Sequence, residues 1–284
     1  MPEAMPDGLR AWWLLLCAVS LANAVAWGVL AASLGLRGGA TDPVIRSASR
    51  AQLWLAAGYV FGCAFRAIFP VIDVPRLCLV DSPLSTVLIG RSVATVAELC
   101  FAAQCSLALA AVADALGSGL GRTAARAVLP LIALAEACSW YAVLTTSNLG
   151  HVAEESIWAL TVAMMVVSVL ASWRHHPPRL RPAAALAVLL GAGYVIFMLV
   201  VDVPMYFGRW LAERAHGPAP FTLVDGLARL AALCVRSWQW EHWREEVPWM
   251  SLYFSVAVWF SLLLVRVPAL LPRGAGQARP APHH

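Results

Sequence analysis

Lysine is missing from this sequence: all 20 of its basic residues are arginine. No Schiff base to retinal or any other aldehyde can form on a lysine side chain, so that whole class of chemistry is excluded. Charge of either sign is also scarce, at 13% of 284 residues, whereas hydrophobic residues make up 61%. Soluble domains carry roughly 25% charged residues, so this composition describes a polytopic membrane protein. The seven cysteines (Cys17, Cys63, Cys78, Cys100, Cys105, Cys138, Cys234) are scattered through apolar runs without CxxC spacing. They read as small buried hydrophobes and support neither a disulfide framework nor a zinc finger. No phosphate loop, Gly-x-Ser-x-Gly, His-Glu-x-x-His, paired Asp-rich prenyl-diphosphate motif or basic nucleic-acid stripe is present. Acids precede the first apolar run and no Ala-x-Ala signature follows it, so a removed signal peptide is not expected.

What is there is a series of long apolar runs. Stretches near the roughly 20 residues needed to cross a bilayer lie at Trp12 to Leu34, Leu53 to Phe69, Leu84 to Ala113, Val128 to Leu144, Ser156 to Trp173, Ala183 to Val201 and Trp249 to Val265. An eighth stretch, Phe221 to Trp240, carries Asp225, Arg229 and Arg236 on one helical face. A central charge costs about 2.5–3.5 kcal/mol to insert, against about half a kcal/mol gained per Leu or Val. The expectation is an amphipathic helix on the membrane surface, anchored by Trp238, Trp240 and Trp243. The alternative is a spanning helix whose polar stripe faces the bundle, which would make eight spans.

Charge asymmetry favours seven. With the N-terminus outside, one surface carries Arg37, Arg46, Arg50, Arg122, Arg126, Arg174, Arg179, Arg181, Arg273 and Arg279, opposed there only by Asp42 and Asp114. The other surface carries Glu3, Asp7, Asp73, Asp81, Glu154, Glu155, Glu213, Asp225, Glu241, Glu245 and Glu246, as the positive-inside rule requires. The expected fold is therefore an all-α polytopic transmembrane bundle, one domain over residues 1–271, with a disordered tail over 272–284. The lysine-free, alanine-rich composition places it in a bacterial inner membrane.

One spelling recurs: His151-Val152-Ala153-Glu154-Glu155-Ser156-Ile157-Trp158 and His242-Trp243-Arg244-Glu245-Glu246-Val247-Pro248-Trp249, each at the mouth of an apolar run. Seven spans put both copies on one surface. His at i and Glu at i+3 share a helical face, the reverse of the Glu-x-x-His spacing of di-iron bundles, and such donors suit Zn, Fe or Mn. A metal site built from His151, Glu154, Glu155, His242, Glu245 and Glu246 is one reading; metal-free acid/base chemistry at the two histidines is another. The third is structural, with acids complementing a helix start, Pro248 initiating one helix, and Ser147 or Asn148 capping the other.

Glu98 and Glu136 lie near the middle of predicted spans, where an unpaired carboxylate is costly and hence a functional candidate. Arg91 lies two turns from Glu98 on the same face and Arg66 near a span end, so ion pairing is the competing account. Between them, Arg66, Asp73, Arg76, Asp81 and Arg91 alternate in sign. Arg66, Arg76 and Arg91 suit an anionic head group or carboxylate or neutralise these acids; Asp81-Ser82-Pro83 reads as a helix cap. Asp202 and Arg209 form a similar pair, with His216 nearby in a Gly-Pro loop. His175-His176, on the Arg-rich surface, suits contact with anionic lipid.

These residues support a membrane enzyme acting in the outer half of the bundle on a lipid or other apolar molecule, with Glu98, Glu136, His151 and His242 as catalytic candidates. Arg66, Arg76, Arg91, Asp202 and Arg209 are the substrate-binding candidates. The alternatives are a proton-coupled transporter using Glu98 and Glu136, or a non-catalytic subunit or sensor. Membrane lipids are the expected partners, and nucleic acid is not.

Overall fold

A computed structural model describes residues 4–36, 42–232 and 234–271. Among these, seven helices are long and apolar enough to cross a membrane, and the chain is an all-α polytopic bundle. The helices are α1 (Asp7–Leu36), α2 (Pro43–Ile68), α3 (Val87–Leu116), α4 (Gly119–Thr145) and α5 (Leu149–Ala171). The sixth span is compound: α6 (Arg181–Phe197) runs through a π-helical turn (Met198–Asp202) into α7 (Val203–His216). The last span begins at α10 (Glu246–Leu252), passes a second π turn (Tyr253–Ala257) and ends in α11 (Val258–Leu264). The expected tail, 272–284, and the charges at Glu3, Arg37, Arg273 and Arg279 lie outside the described residues.

Most spans start and stop on local chemistry. Asp42 accepts from the Val44 amide before Pro43 in the first turn of α2, Thr86 accepts from Ile89 N before α3, and Ser118 accepts from Gly121 N before α4. The cap before α3 corrects one expectation: Thr86 does that work, while exposed Asp81 pairs with Arg236 at 3.8 Å. Asn148 stands at the N-cap of α5 without a capping bond, because its side chain and its amide are spent on Glu213 of α7.

Small residues let the bundle close. A Cβ at Gly62 would lie 2.6 Å from the Ala97 methyl, and one at Gly150 2.5 Å from the Cys138 carbonyl, so α2 meets α3 and α4 meets α5 nearly backbone to backbone. The core between α1, α2 and the last span holds Leu9, Trp12, Leu16, Tyr59, Met250, Phe254 and Val258. Two buried amides bind across it. Asn23 donates to the Phe254 carbonyl at 2.8 Å, which lies in the second π turn. Gln104 donates to the carbonyls of Gln52 and Ser261 and accepts from the Ser261 hydroxyl at 2.5 Å.

The segment 221–240 does not span, and it is not the single amphipathic helix its polar stripe suggests. Among its described residues Leu223–Ala228 is helical (α8), capped by Thr222, and Val235–Arg236 is a strand (β3), before a further short helix begins at Trp240. That strand pairs in parallel with β2 (Leu77–Cys78), itself antiparallel to β1 (Val71–Ile72). Backbone groups of the α2–α3 hairpin thus outcompete the helix: Val235 N donates to Arg76 O and Ser237 N to Cys78 O. The charges of the stripe find separate partners, with Arg229 over the Phe221 ring and Arg236 over Trp238. Trp243, in the short helix α9 (Trp240–Trp243), is fully buried against Trp12. The residues after the sixth apolar run are also helix, up to His216.

All of this cap lies at the bundle end where α1 begins. Burial pushes the Cys234 thiol of the cap up to about 12 and raises that of Cys78, whose Sγ donates to the Cys234 carbonyl. The thiolate is the reactive form. Alkylation of both by maleimide at pH 8 is therefore expected to run on the order of a hundredfold or more slower in the folded protein than after denaturation, as mass spectrometry of the labelled peptides will read. Equal rates would show that the cap is open.

Candidate functional site

The centre of the charged region is Arg91, one turn into α3 and 4% exposed. Its Nη2 donates to Glu136 Oε2 at 2.8 Å and to Glu98 Oε1 at 3.3 Å; its Nη1 lies 3.5 Å from Glu154 Oε1 and 3.8 Å from Asp73 Oδ2. Four elements meet there. Glu98 comes from the same helix two turns on, Glu136 from α4, Glu154 from α5 and Asp73 from the hairpin. The seven-residue spacing of Arg91 and Glu98 made their pairing legible, whereas the other three partners are set by packing. Four carboxylates around one guanidinium leave a formal charge of −3 unless protons or a cation offset it. Glu136 is also held by the Thr95 hydroxyl at 2.6 Å, to which Trp140 donates in turn.

Glu154 carries the network to a histidine. Its Oε2 lies 2.8 Å from His151 Nδ1, both groups being buried, so Nδ1 is engaged and Nε2 is the ring nitrogen not used by Glu154; His151 also lines a cavity of the bundle. The His151 ring lies 5.0 Å from that of Tyr206. Glu154 stands in the second turn of α5, beyond the reach of the capping role.

The second octet does not join it, which corrects the expected convergence of two imidazoles and four carboxylates. His242 is exposed and its Nδ1 is engaged by Ser237 Oγ at 2.7 Å. Glu245 and Glu246 both take Arg209, at 2.7 and 3.0 Å, and Trp249 donates to Glu246 at 2.5 Å. Glu246 in the first turn of α10 and Pro248 beside it fit the structural role of a helix start. The two copies fold differently because only the first lies inside a continuous helix.

Other candidates also divide. Arg209 pairs with these glutamates and not with Asp202, as had been expected. Among the described residues Arg66 and Arg76 make no ion pair: Arg66 donates to the Val71 carbonyl, and Arg76 ties the carbonyls of Val143 and Arg229 together while attracting Asp73 across space. His176 is buried and its Nδ1 lies 2.9 Å from the Ser172 carbonyl, whereas its neighbour His175 is exposed.

Among the described residues, Glu98, Glu136 and Glu154 are a group of carboxylates close enough to share an ion, with oxygens within 4.8 Å of one another. It contains no histidine, and hard oxygens suit Mg, Ca or Mn better than the expected mixed site. Arg91 already bridges all three.

Beside this network lies a cavity of about 770 Å³, walled by α2, α3, α5, the compound sixth span and the last span. Its half nearest the cap is polar, with Arg66, Asp73, Arg91, Glu98, His151, Glu154, Glu155, Asp202, Arg209 and Glu246 on its walls. The rest is lined by Ala108, Val112, Val162, Val166, Ala187 and their neighbours, with His176 and Arg266 at the end away from the cap. Arg91 and Val112 stand 21 residues apart on α3, about 30 Å at the helical rise. The cavity thus runs the depth of a bilayer core. Both π turns border it: Met198 and Asp202 from one, Tyr253, Phe254, Val256 and Ala257 from the other. Such turns recur at functional sites because they displace one side chain from the regular ladder. α6 packs along α5, with Gly191 against Val166, and only sparsely on the last span.

The tyrosines Tyr194 and Tyr206 were not expected in the site. A signal existed, since Tyr194, Met198, Asp202 and Tyr206 recur every four residues and so mark one helical face. No protein-family model, curated protein or solved structure matches the chain.

Proposed function

We propose that this protein is an integral membrane enzyme that takes an amphiphile from the bilayer between α6 and the last span and performs acid/base chemistry on its polar end. The observation that carries this reading is the graded cavity, densely charged near the cap and apolar through its middle, with His176 and Arg266 at the far end. A head group placed at the charged end beside His151 leaves a hydrocarbon tail in the chamber between Ala108, Val166 and Ala187. Mostly apolar pockets with a few convergent polar groups are the ordinary form of a small-molecule site.

His151 is the group that moves the proton. Arg91 lies 3.5 Å from Glu154, Glu154 orients the ring through Nδ1, and Nε2 is left to accept or donate at the substrate. This arrangement needs no ion at Glu98, Glu136 and Glu154, where Arg91 already supplies positive charge.

Membranes incubated with the purified wild-type protein should show at least one lipid class depleted and another enriched by lipid mass spectrometry. His151→Ala should slow that conversion by about 10²–10⁴-fold while leaving the melting temperature close to wild type. Unchanged lipid profiles with the wild-type protein would defeat the enzyme reading.

A further inference from the structure

The polar half of the cavity has an imbalance of charge. Its walls carry six carboxylates (Asp73, Glu98, Glu154, Glu155, Asp202, Glu246) against the three guanidiniums of Arg66, Arg91 and Arg209. Arg66 is spent on a backbone carbonyl and Arg209 on Glu245 and Glu246. Two of the acids have neither a hydrogen bond nor an ion pair among the described residues, although Arg209 and His151 attract Asp202, and Arg91 attracts Glu155, across space. Asp202 is only 4% exposed and, among the described residues, has no hydrogen bond or ion pair; Glu155 likewise has none. Asp73, 8% exposed, keeps one carboxylate oxygen unpartnered beside the same space. A buried carboxylate without a partner is costly, and the first π turn is what sets Asp202 at the cavity wall.

The geometry points to a positively charged head group: we propose that the amphiphile is an organic ammonium, held by Asp202 and Glu155, with its chain in the apolar chamber. This rests on the proposed function for the chamber but adds the sign and class of the head group. The rings of Trp158 and Tyr194 line the same cavity, and aromatic faces attract ammonium groups. They offer nothing to a hydrated divalent ion, which wants six or more oxygens. An anionic head group would meet the unpartnered carboxylates and be repelled.

Three probes with one tail separate the possibilities: tritiated hexadecyltrimethylammonium, hexadecan-1-ol and palmitate. Binding is measured to the full-length protein in nanodiscs of zwitterionic lipid, with empty discs subtracted. The ammonium should bind at least about tenfold more tightly than the alcohol, and palmitate the most weakly. Asp202→Asn with Glu155→Gln should bring the ammonium down to the level of the alcohol, and thermal melting will verify that the double variant is folded. Equal binding of all three, preference for palmitate, or an ammonium preference that survives in the folded double variant would overturn the inference while leaving the chamber reading intact. No saturable binding of any probe would overturn both.

Discussion

Arg91→Ala is expected to be the most damaging single substitution in the bundle, costing about 3–5 kcal/mol. The guanidinium lies against Asp73, Glu98, Glu136 and Glu154, and its removal leaves four carboxylates facing one another in a buried site. Arg91→Lys should recover little, because one ammonium lacks the planar fork that reaches four acids from two nitrogens. Adding Glu136→Gln and Glu154→Gln to Arg91→Ala should restore part of the loss, since the damage comes from uncompensated like charge more than from the lost bonds. Thermal melting and the monodisperse fraction after detergent extraction read both effects. An Arg91→Ala protein that melts with the wild type would show that the cluster does not hold the helices together.

The second large effect is expected in the apolar part of the cavity. Ala187→Trp on α6 puts an indole into the apolar chamber and leaves every charged residue of the cap end in place. α6 is packed mainly on α5, so the overpacking that usually costs about 1–3 kcal/mol in a core is relieved by a small outward shift. Binding of a sixteen-carbon amphiphile should fall by at least about tenfold, equivalent to about 1.4 kcal/mol, with folded yield retained. Val166→Trp should act similarly from the α5 side. Undiminished binding in both variants would mean that the tail lies elsewhere and that this cavity is not the site.

Substitutions at the two ends also separate stability from function. The ionic cluster joins four elements, so its loss is felt as unfolding. The chamber and the His151 imidazole have few structural duties, so their loss is felt in binding and turnover. Cavities kept open in a close-packed bundle sacrifice packing contacts, and this one is bordered by two π turns.

Some of the site was legible from spacing alone. Arg91 and Glu98 are seven residues apart and had to share a face, and His151 and Glu154 are three apart and do meet. The second octet has the same letters and a different outcome, because Ser237 and Arg209 lie close enough to take its His242 and glutamates. A motif specifies which groups share a face only while its own helix is continuous. Around His242 the chain turns from α9 into α10, so the periodicity that joins His151 to Glu154 is broken there.

By itself, the sequence determined the membrane class, the seven long helices, the absence of lysine chemistry and the gathering of acids toward one end of the bundle. These follow from composition and from periodicity along single segments, which are local properties of the chain. Tertiary structure decided the rest. Hydropathy does not choose helix neighbours, so it could not bring Asp73, Glu136 and Glu154 to Arg91. Nor could the polar stripe of 221–240 reveal that the backbone of the α2–α3 hairpin would claim part of that segment as a strand. The cavity itself exists because α6 leans on α5 and leaves space before the last span, and that spacing is a matter of how helices pack.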